Sequence, residues 1–364
     1  MSTVIPSLDR ETVLGGWSGA VIDADLHAHL GSVESLKDHL EPVWREFVNE
    51  TGFQAPPWMD SVYPPGAGTT IDPGLAVAGG PVGSTAAAVV AGAVEPIGAE
   101  ASILNCYWGL ERVRHPDFAA GLARGINDWL IAEWLDKDPR LRASLVVPAF
   151  VPDEAAAEID RVGGHPGFVQ VLLPVRSSRL YGQRPLRSMF EAMVRNDLVA
   201  GVHYGGTADA PGPNGMETWF LEDYVSSHLG AFQAQLCSMV SEGLFQALPD
   251  LRVSFLESGF TWVGPTLWRM DREWPGLRRD VPWLVEAPSA LVRRHVKFSG
   301  QPIDAGNDDQ LRAALDWLGS DDLLMFASDF PHGRSEEATA LLRVLSPEAA
   351  EKFMAGNARA HYRL

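Results

Sequence analysis

The sequence predicts a (β/α)8 TIM barrel with long insertions after its first and fifth strands. Short runs of β-branched or apolar residues recur eight times, and a segment with the apolar spacing of a helix follows each of them. The length of 364 residues also suits one such barrel with insertions. The eight predicted strands cover residues 20–25, 102–107, 143–150, 168–173, 198–203, 252–257, 295–299 and 323–329.

The predicted helices are recognised by apolar residues spaced about 3.6 positions apart. One of them carries Phe118, Leu122 and Ile126 on the same face, and another starts after Asp308 and Asp309. A doubly wound sheet is the alternative fold. It is disfavoured because no glycine-rich phosphate-binding motif follows any predicted strand.

Two stretches, residues 31–99 and 205–225, do not fit the repeat and are predicted to be lid-like insertions in a single domain spanning residues 1–364. Loops of this length inside a compact domain often form lids or pocket walls. We expect their aromatic side chains to line an apolar substrate pocket, the alternative being that they only anchor the insertions to the barrel. These side chains are Trp58, Tyr63, Trp219 and Phe220.

Composition excludes several classes of partner. The formal net charge is −18 and no run of lysines or arginines offsets it, so neither nucleic acid nor a membrane is an expected partner. Charged residues near the start of the chain argue against a signal peptide, and we expect a cytoplasmic protein with a small-molecule substrate. The composition leaves open whether the protein forms a homodimer. With only Cys106 and Cys237, we expect buried thiols rather than disulfides or a thiolate metal cluster.

The strongest chemical signal is the run Asp23-Ala-Asp25-Leu-His27-Ala-His29 at the end of the first predicted strand. Side chains alternate along a strand, so His27 and His29 should point the same way, with their Cα atoms about 7 Å apart. Two imidazoles in that arrangement can bind one metal ion. The alternative for each is a hydrogen-bonded core histidine.

Two further strand ends carry residues of metal-ligand type. The fifth predicted strand ends at His203, shortly before two glycines, and the eighth ends at Asp329, shortly before a proline. A buried carboxylate is costly unless it is paired, hydrogen-bonded or metal-bound. Functional residues of such barrels collect at the carboxyl ends of the strands, so we expect His27, His29, His203 and Asp329 to meet around one metal position.

These motifs resemble the amidohydrolase superfamily, and within it the decarboxylase-like branch that includes the aminocarboxymuconate semialdehyde and γ-resorcylate decarboxylases. The H-x-H after strand one, the histidine after strand five and the S-D-F-P-H run after strand eight carry the resemblance, which extends over most of the chain. It implies that His27, His29, His203 and Asp329 bind a divalent metal ion, and that Asp329 also moves protons.

The sixth strand departs from that pattern, because Glu257 stands where the decarboxylases have a histidine. A carboxylate there can act as a base, or bind metal and bridge two ions. The alternative is a salt bridge to Arg269 or Arg272. The whole set of histidines and carboxylates would suit zinc, iron or manganese, with one or two ions per chain.

Three more residues are assigned to the site. His228, at the head of the helix before strand six, is a candidate further ligand or acid–base residue, the alternative being a histidine exposed to solvent at a helix start. Asp25 and His332 are expected to orient the metal ligands through hydrogen bonds.

Together these residues indicate a metal-dependent hydrolase or decarboxylase-like lyase that acts on a small carbon-rich acid, ester or ring substrate through a metal-activated water. The candidate catalytic residues are Asp329, Glu257 and His228. A dinuclear non-haem iron or manganese monooxygenase on the same fold is the alternative enzyme. A catalytically silent binding subunit that retains the barrel is the alternative from another class.

Overall fold

The computed structural model describes residues 8–54, 63–64, 67, 76–77, 80–81, 83–106, 108–206, 218–332 and 337–364. Within them, eight parallel strands form a barrel in which each strand pairs with the next one along the chain. This confirms the predicted fold class. The strands are β1 (Ile22–His27), β2 (Ala101–Asn105), β3 (Leu141–Val146), β4 (Phe168–Arg176), β5 (Val199–Gly206), β6 (Val253–Leu256), β7 (Val296–Ser299) and β8 (Leu324–Met325).

The barrel closes between β1 and the segment that follows β8. Leu26 forms a parallel bridge with Phe330, and the His27 N–H donates to the Phe330 carbonyl at 2.9 Å. The Asp329 N–H donates in return to the Asp25 carbonyl at 3.0 Å. The last strand is therefore shorter than the predicted 323–329, because the chain beyond β8 bends across to β1, and this closure carries Asp329 to the β1 side of the barrel.

Helices and short helical segments connect the strands. The helices are α1 (Arg10–Leu14), α2 (Pro42–Thr51), α3 (Ala86–Val89), α4 (Glu95–Ile97), α5 (Pro116–Leu130), α6 (Pro152–Val162), α7 (Arg187–Arg195), α8 (Phe220–Glu222), α9 (His228–Ser241), α10 (Leu244–Ala247), α11 (Val263–Leu277), α12 (Pro288–His295), α13 (Asp308–Leu318), α14 (Glu337–Leu342), α15 (Pro347–Glu351) and α16 (Asn357–Tyr362). Segments of 3-10 helix cover Val33–His39, Leu110–Arg112 and Arg184–Leu186, and π-helical segments cover Val90–Val94, Ile131–Leu135, Asp223–Ser227 and Lys352–Gly356. A two-stranded antiparallel ladder pairs Ala76–Val77 with Gly80–Pro81.

Local chemistry accounts for where the helices start. α5 begins at Pro116, whose missing N–H would have no partner in the first turn, and the His115 ring accepts the Phe118 N–H at 3.3 Å. α13 begins after Asn307, whose side chain accepts two N–H groups of the first turn. Their apolar faces are buried, so the alternation of strand and helix follows from the spacing of apolar residues.

The apolar core has two parts. The larger part lies between the barrel and the surrounding helices, with Trp134, Phe190 and Phe255 among its fully buried side chains. The smaller part fills the amino-terminal end of the barrel interior, where β1 and β2 residues meet Tyr362 of α16. Cys106 is a buried free thiol, as expected, and Cys237 is a half-buried one.

The first predicted insertion lies partly on the flank of the barrel. Its helix α2 packs on α5, where the Trp44 and Phe118 rings are 5.4 Å apart. A Cβ at Gly121 would come within 2.2 Å of Trp44, so glycine lets the two helices approach closely. Burial of the apolar side chains of α2 explains this contact. Trp58 and most of residues 55–82, like residues 207–217, lie outside the described residues, so the lid role stays a prediction.

In the described part of the chain, every helix is too short or too polar to span a lipid bilayer.

Candidate metal centre

Three strand ends bring four metal-ligand side chains to the carboxyl end of the barrel. Asp25 and His27 alternate on β1 and therefore share one face of the strand. His203 belongs to β5 and Asp329 follows β8. All four side chains are at most 3% exposed although they are polar or charged. Burial of such groups is costly without partners, so their clustering indicates a functional site rather than ordinary core packing.

Two overlapping groups of ligand atoms lie here. Asp25, His27 and His203 offer atoms within 4.8 Å of one another, and so do His27, Asp329 and His332. The His203 Nε2 lies 3.1 Å from Asp25 Oδ1, and the His27 Nε2 lies 3.6 Å from that oxygen. The His27 Nε2 is also 3.1 Å from Asp329 Oδ1. Donor atoms about 2.0–2.2 Å from one ion stand roughly 3–3.6 Å apart, so these atoms have the spacing of an ion site.

Hydrogen bonds orient the ligand atoms. The His203 Nδ1–H donates to the Tyr204 carbonyl at 2.6 Å, which leaves the lone pair of Nε2 directed towards Asp25. Asp25 in turn accepts hydrogen bonds from the Asn105 amide at 2.7 Å and from the Gln301 amide at 3.4 Å. These two amides thus help to fix the orientation of the Asp25 carboxylate.

The electrostatics of the centre favour a cation. Burial opposes ionisation of Asp329, but His332 and His27 outweigh it and hold the pKa of this carboxyl well below its usual range. Burial likewise lowers the pKa of His203, yet the Asp25 carboxylate more than compensates and raises it. A buried set of imidazole nitrogens and carboxylate oxygens fits a divalent metal ion.

The remaining predicted ligands on the first strand and after the sixth lie nearby. His29 is buried, but it belongs to neither group of ligand atoms found among the described residues. β1 ends at His27, and beyond it the His29 N–H donates to the Gly83 carbonyl at 2.8 Å. The His29 ring stacks on the His27 ring with 6.1 Å between centroids, so the two side chains point the same way, as predicted. A Cβ at Gly83 would come within 2.5 Å of the His29 ring, so a glycine is needed there.

Glu257 follows β6 and is 4% exposed. Its N–H donates to the Ser299 hydroxyl of β7 at 2.9 Å. Arg272, one alternative salt-bridge partner, has an 85% exposed side chain and pairs with Glu273 on α11. Glu257 is outside both groups of ligand atoms in the described part of the chain, and its roles as base or ligand stay predictions.

The family model of an amidohydrolase matches residues 22–364. That span begins with β1 and contains all the barrel strands described above. The chain belongs to the amidohydrolase family. The match confirms the resemblance inferred from the motifs, and with it the expectation of a metal-dependent enzyme. A search of the curated proteins gave no significant match by sequence.

Solved structures share the fold of this amidohydrolase at low identity. An amidohydrolase from Mycobacterium avium subsp. paratuberculosis K-10 has a TM-score of 0.71 and 19% identity, covering 95% of this chain and 100% of that one. A 5-carboxyvanillate decarboxylase from Sphingomonas paucimobilis has a TM-score of 0.67 and 17% identity over the same shares. The 5-carboxyvanillate decarboxylase from Novosphingobium aromaticivorans, solved with manganese and 4-hydroxy-3-methoxy-5-nitrobenzoic acid, has a TM-score of 0.69 and 19% identity over 100% of both chains.

A second polar cluster of this amidohydrolase extends from the metal centre and was not foreseen from the sequence, apart from Tyr63. Tyr204 follows His203 in the sequence, and its hydroxyl donates to the Tyr63 hydroxyl at 3.2 Å. Tyr63 donates to the Asp223 carboxylate, which also accepts a hydrogen bond from the Arg176 guanidinium. These four residues come from distant parts of the chain, so no motif could have indicated them. Only Tyr204, as the neighbour of a predicted ligand, carried a local signal.

His228 is buried against this cluster. Its ring stacks on Tyr204 with 4.0 Å between centroids, and its Nδ1–H donates to the Asp223 carbonyl at 3.2 Å. Burial lowers its pKa to about 4, so the imidazole is neutral near pH 7. The alternative of a histidine in solvent is wrong, because His228 is 2% exposed and is covered by Tyr204.

The predicted pocket aromatics are placed differently from one another. Tyr63 is buried and its ring lies 5.1 Å from that of Phe220. Phe220 is 48% exposed and Trp219 is 72% exposed. Tyr63 therefore joins the polar cluster, whereas Trp219 is directed mainly towards solvent.

Proposed function

We propose that the protein is a metal-dependent lyase that removes a carboxyl group from a small carbon-rich acid. The observation that carries the proposal is the buried group Asp25, His27 and His203, with Asp329 beside it at the carboxyl end of the barrel. Family membership supports it, as does the fold shared with 5-carboxyvanillate and 2,6-dihydroxybenzoate decarboxylases.

The metal would be held by Asp25, His27, His203 and Asp329. In this proposal Asp25 is a ligand rather than only a support for one, since two imidazole nitrogens face its carboxylate. When bound, a divalent ion would polarise substrate oxygens and stabilise negative charge that develops during bond cleavage.

The chain's own residues would then handle the proton. Loss of carbon dioxide leaves an electron pair on carbon, which must take up a proton. We assign this transfer to Glu257, a buried carboxyl at the end of β6, whereas the neutral His228 could only accept a proton at Nε2, because its Nδ1–H is bonded to the Asp223 carbonyl. Asp329, held anionic by His332 and His27, would position the substrate and accept protons rather than donate them.

Hydrolysis is the second candidate function for the same site. It is favoured by the state of Asp329, because an anionic carboxylate fixed by two histidines can serve as the general base for a water molecule. The dinuclear oxygenase would additionally require Glu257 to bind a second ion.

The first test of the proposal replaces a proposed ligand. In Asp25→Asn the charge is lost with little change in size, so we expect metal content to fall to well below one ion per chain and turnover to be lost. Asp271→Asn, on the outer helix α11, is the matched control and should keep both. Metal is counted by elemental analysis of protein purified without added metal.

The reaction itself is tested on the manganese-loaded protein with 5-carboxyvanillate and 2,6-dihydroxybenzoate, with carbon dioxide release as the readout. Release that is equal with and without oxygen, and absent in Asp25→Asn, is the expected result. Products that gain water would favour the hydrolase, and label from isotopic O₂ in the product would favour the oxygenase. Full metal content in Asp25→Asn would contradict the ligand assignment.

A further inference from the structure

A cavity of about 730 Å³ lies at the carboxyl ends of β2, β3 and β4 and is distinct from the metal centre. Its walls come from residues 111–114 after β2, residues 149–150 after β3, and the end of β4 with residues 177–179. Among the residues that the structure describes, none of the proposed metal ligands lines it. Its volume is within the range of about 300–1,000 Å³ typical of pockets for organic ligands.

Buried, hydrogen-bonded side chains separate this cavity from the metal centre. Arg176 lines the cavity, and its guanidinium is paired with the Asp223 carboxylate. Asp223 also accepts a hydrogen bond from Tyr63, whose hydroxyl accepts one from Tyr204, the neighbour of the proposed ligand His203. The four separating residues are at most 9% exposed. A ligand in the cavity would therefore bind independently of the metal centre.

The lining concentrates positive charge in an acidic protein. Four arginines line this one cavity, although the net charge of the chain is −18. They are Arg112, Arg114, Arg176 and Arg179. Asp223 offsets the charge of Arg176, and Glu111 is the only acidic residue among the described lining residues. An excess of positive charge remains, so the cavity favours an anion.

Two of these arginines are available to a ligand. Arg114 and Arg179 are exposed, and neither forms an ion pair with another residue in the described part of the chain. A guanidinium group presents paired N–H donors that match the oxygens of a carboxylate or a phosphate. Without a protein carboxylate to occupy them, the donors of these two side chains can bind an oxyanion from solution.

The rest of the lining determines what kind of anion fits. Val113, Phe150 and Leu186 supply apolar surface to the same cavity. An inorganic anion would leave that surface and most of the volume in contact with water, whereas an organic body would cover it. The ligand is therefore an organic molecule that carries an oxyanion.

We propose that this cavity is a binding site for a small organic oxyanion, with a carboxylate or a phosphate-type group at Arg114 and Arg179 and an apolar body against the remaining wall. The ligand is a molecule other than the substrate at the metal centre. The inference goes beyond the proposed function and does not rest on it, because it uses only the shape and charge of the cavity.

Calorimetry on the purified protein tests the site with two probes, benzoate and phenylphosphonate, which share an apolar ring and differ in the oxyanion. Benzamide has the shape of benzoate without its charge and is the neutral reference. We expect at least one oxyanion probe to bind about ten-fold or more tightly than benzamide, as one charge-assisted hydrogen-bonded contact would give. The probe that binds more tightly identifies the oxyanion.

The variant Arg114→Gln/Arg179→Gln should remove this binding event or weaken it by at least about ten-fold. Arg272→Gln, which removes an 85% exposed side chain charge on α11, is the matched control and should bind the probe like the wild type. Asp25→Asn should also keep the event, within about two-fold, because the cavity is separate from the metal centre. If Asp25→Asn does not fold, the wild type treated with a chelator gives the same comparison.

Three results would overturn the inference: no binding of either oxyanion, equal binding of benzamide, or unchanged binding to the double arginine variant. Loss of the event in Asp25→Asn or in the chelated wild type would also overturn it, because the probe would then lie at the metal centre. Failure of the proposed function has a different signature. In that case Asp25→Asn would retain metal, while the double arginine variant would still lose the oxyanion.

Discussion

Glu257 and Asp329 share an uncommon backbone conformation at the barrel mouth. Their φ angles are 51° and 55°, in the left-handed region that residues other than glycine seldom occupy. Such a conformation costs about 1–3 kcal/mol and persists where the surrounding structure enforces it. Each residue stands at the point where a strand ends and its side chain must turn into the barrel mouth. Glu257 and Asp329 therefore combine a strained backbone conformation with a proposed role in the reaction.

The residue-scale prediction concerns Glu257→Gly. Glycine adopts a positive φ without strain, and the change removes a buried carboxyl, so the free energy of unfolding should stay the same or rise by about 1 kcal/mol. Turnover should fall by about 100-fold or more if Glu257 transfers the proton. Glu257→Gln, which keeps the size of the side chain, should lose activity to a similar extent. Urea unfolding and carbon dioxide release give the two measurements.

Asp197→Gly is the control for that prediction, because Asp197 has a φ of 57° but lies at the other end of the barrel, before β5. Its activity should be unchanged. An active Glu257→Gln enzyme would remove Glu257 from the reaction and leave it a structural role.

At the scale of the elements, a ladder of hydrogen-bonded, buried side chains connects the amino-terminal end of the barrel interior to the metal centre. Tyr362 of α16 donates to Gln170 on β4 at 2.9 Å, and Gln170 donates to Ser144 on β3 at 2.8 Å. Ser144 donates to Asn105 on β2 at 2.7 Å, and Asn105 donates to Asp25 on β1 at 2.7 Å. The orientation of Asp25 therefore depends on the register of four neighbouring strands.

The element-scale prediction is that Asn105→Leu weakens metal binding by about 10–100-fold although the fold is retained. Leucine has a similar volume but cannot donate to Asp25, which then loses its support. Competition with a chelator measures the affinity. Ser254→Ala, at the far end of the ladder next to Tyr362, is the control. It should cost about 1 kcal/mol of stability without altering metal affinity. Unchanged affinity in Asn105→Leu would contradict the ladder's role.

For the whole molecule, buried histidines govern the response to mild acid. Burial lowers the pKa of His228 and of His295, and burial together with Lys297 and Arg252 lowers that of His361 well below its usual 6.5. The folded protein therefore excludes protons that the unfolded chain takes up below about pH 6.5. These three groups therefore lower the stability as the pH decreases from that value, because the unfolded state binds more protons at them.

His361→Gln tests this linkage at a position remote from the metal centre. It removes one proton-binding group, so the loss of stability between pH 6.5 and 5 should become less steep by up to about 1.4 kcal/mol per pH unit. Glutamine can still bond to Ser254, the present partner of the His361 ring. Urea unfolding across this pH range gives the slope. An identical slope in His361→Gln would mean that the folded protein does not exclude the proton.

The sequence by itself determined the barrel and the strand ends that carry chemistry. Apolar periodicity is a local property, so the strands and helices could be predicted from spacing. Barrel topology then requires that the ends of the first, fifth and eighth strands meet at one rim. For this reason His27, His203 and Asp329 could be grouped without a structure, and the family resemblance rested on the same residues.

Only the tertiary structure decided which neighbours face one another. β1 places Asp25 and His27 on one face of the strand, and the Asp25 carboxylate lies 3.1 Å from the His203 Nε2. The cluster that joins Tyr63 to Arg176 depends on where segments from distant parts of the chain meet. Such contacts are set by strand register and by packing between elements, which no local pattern of residues encodes.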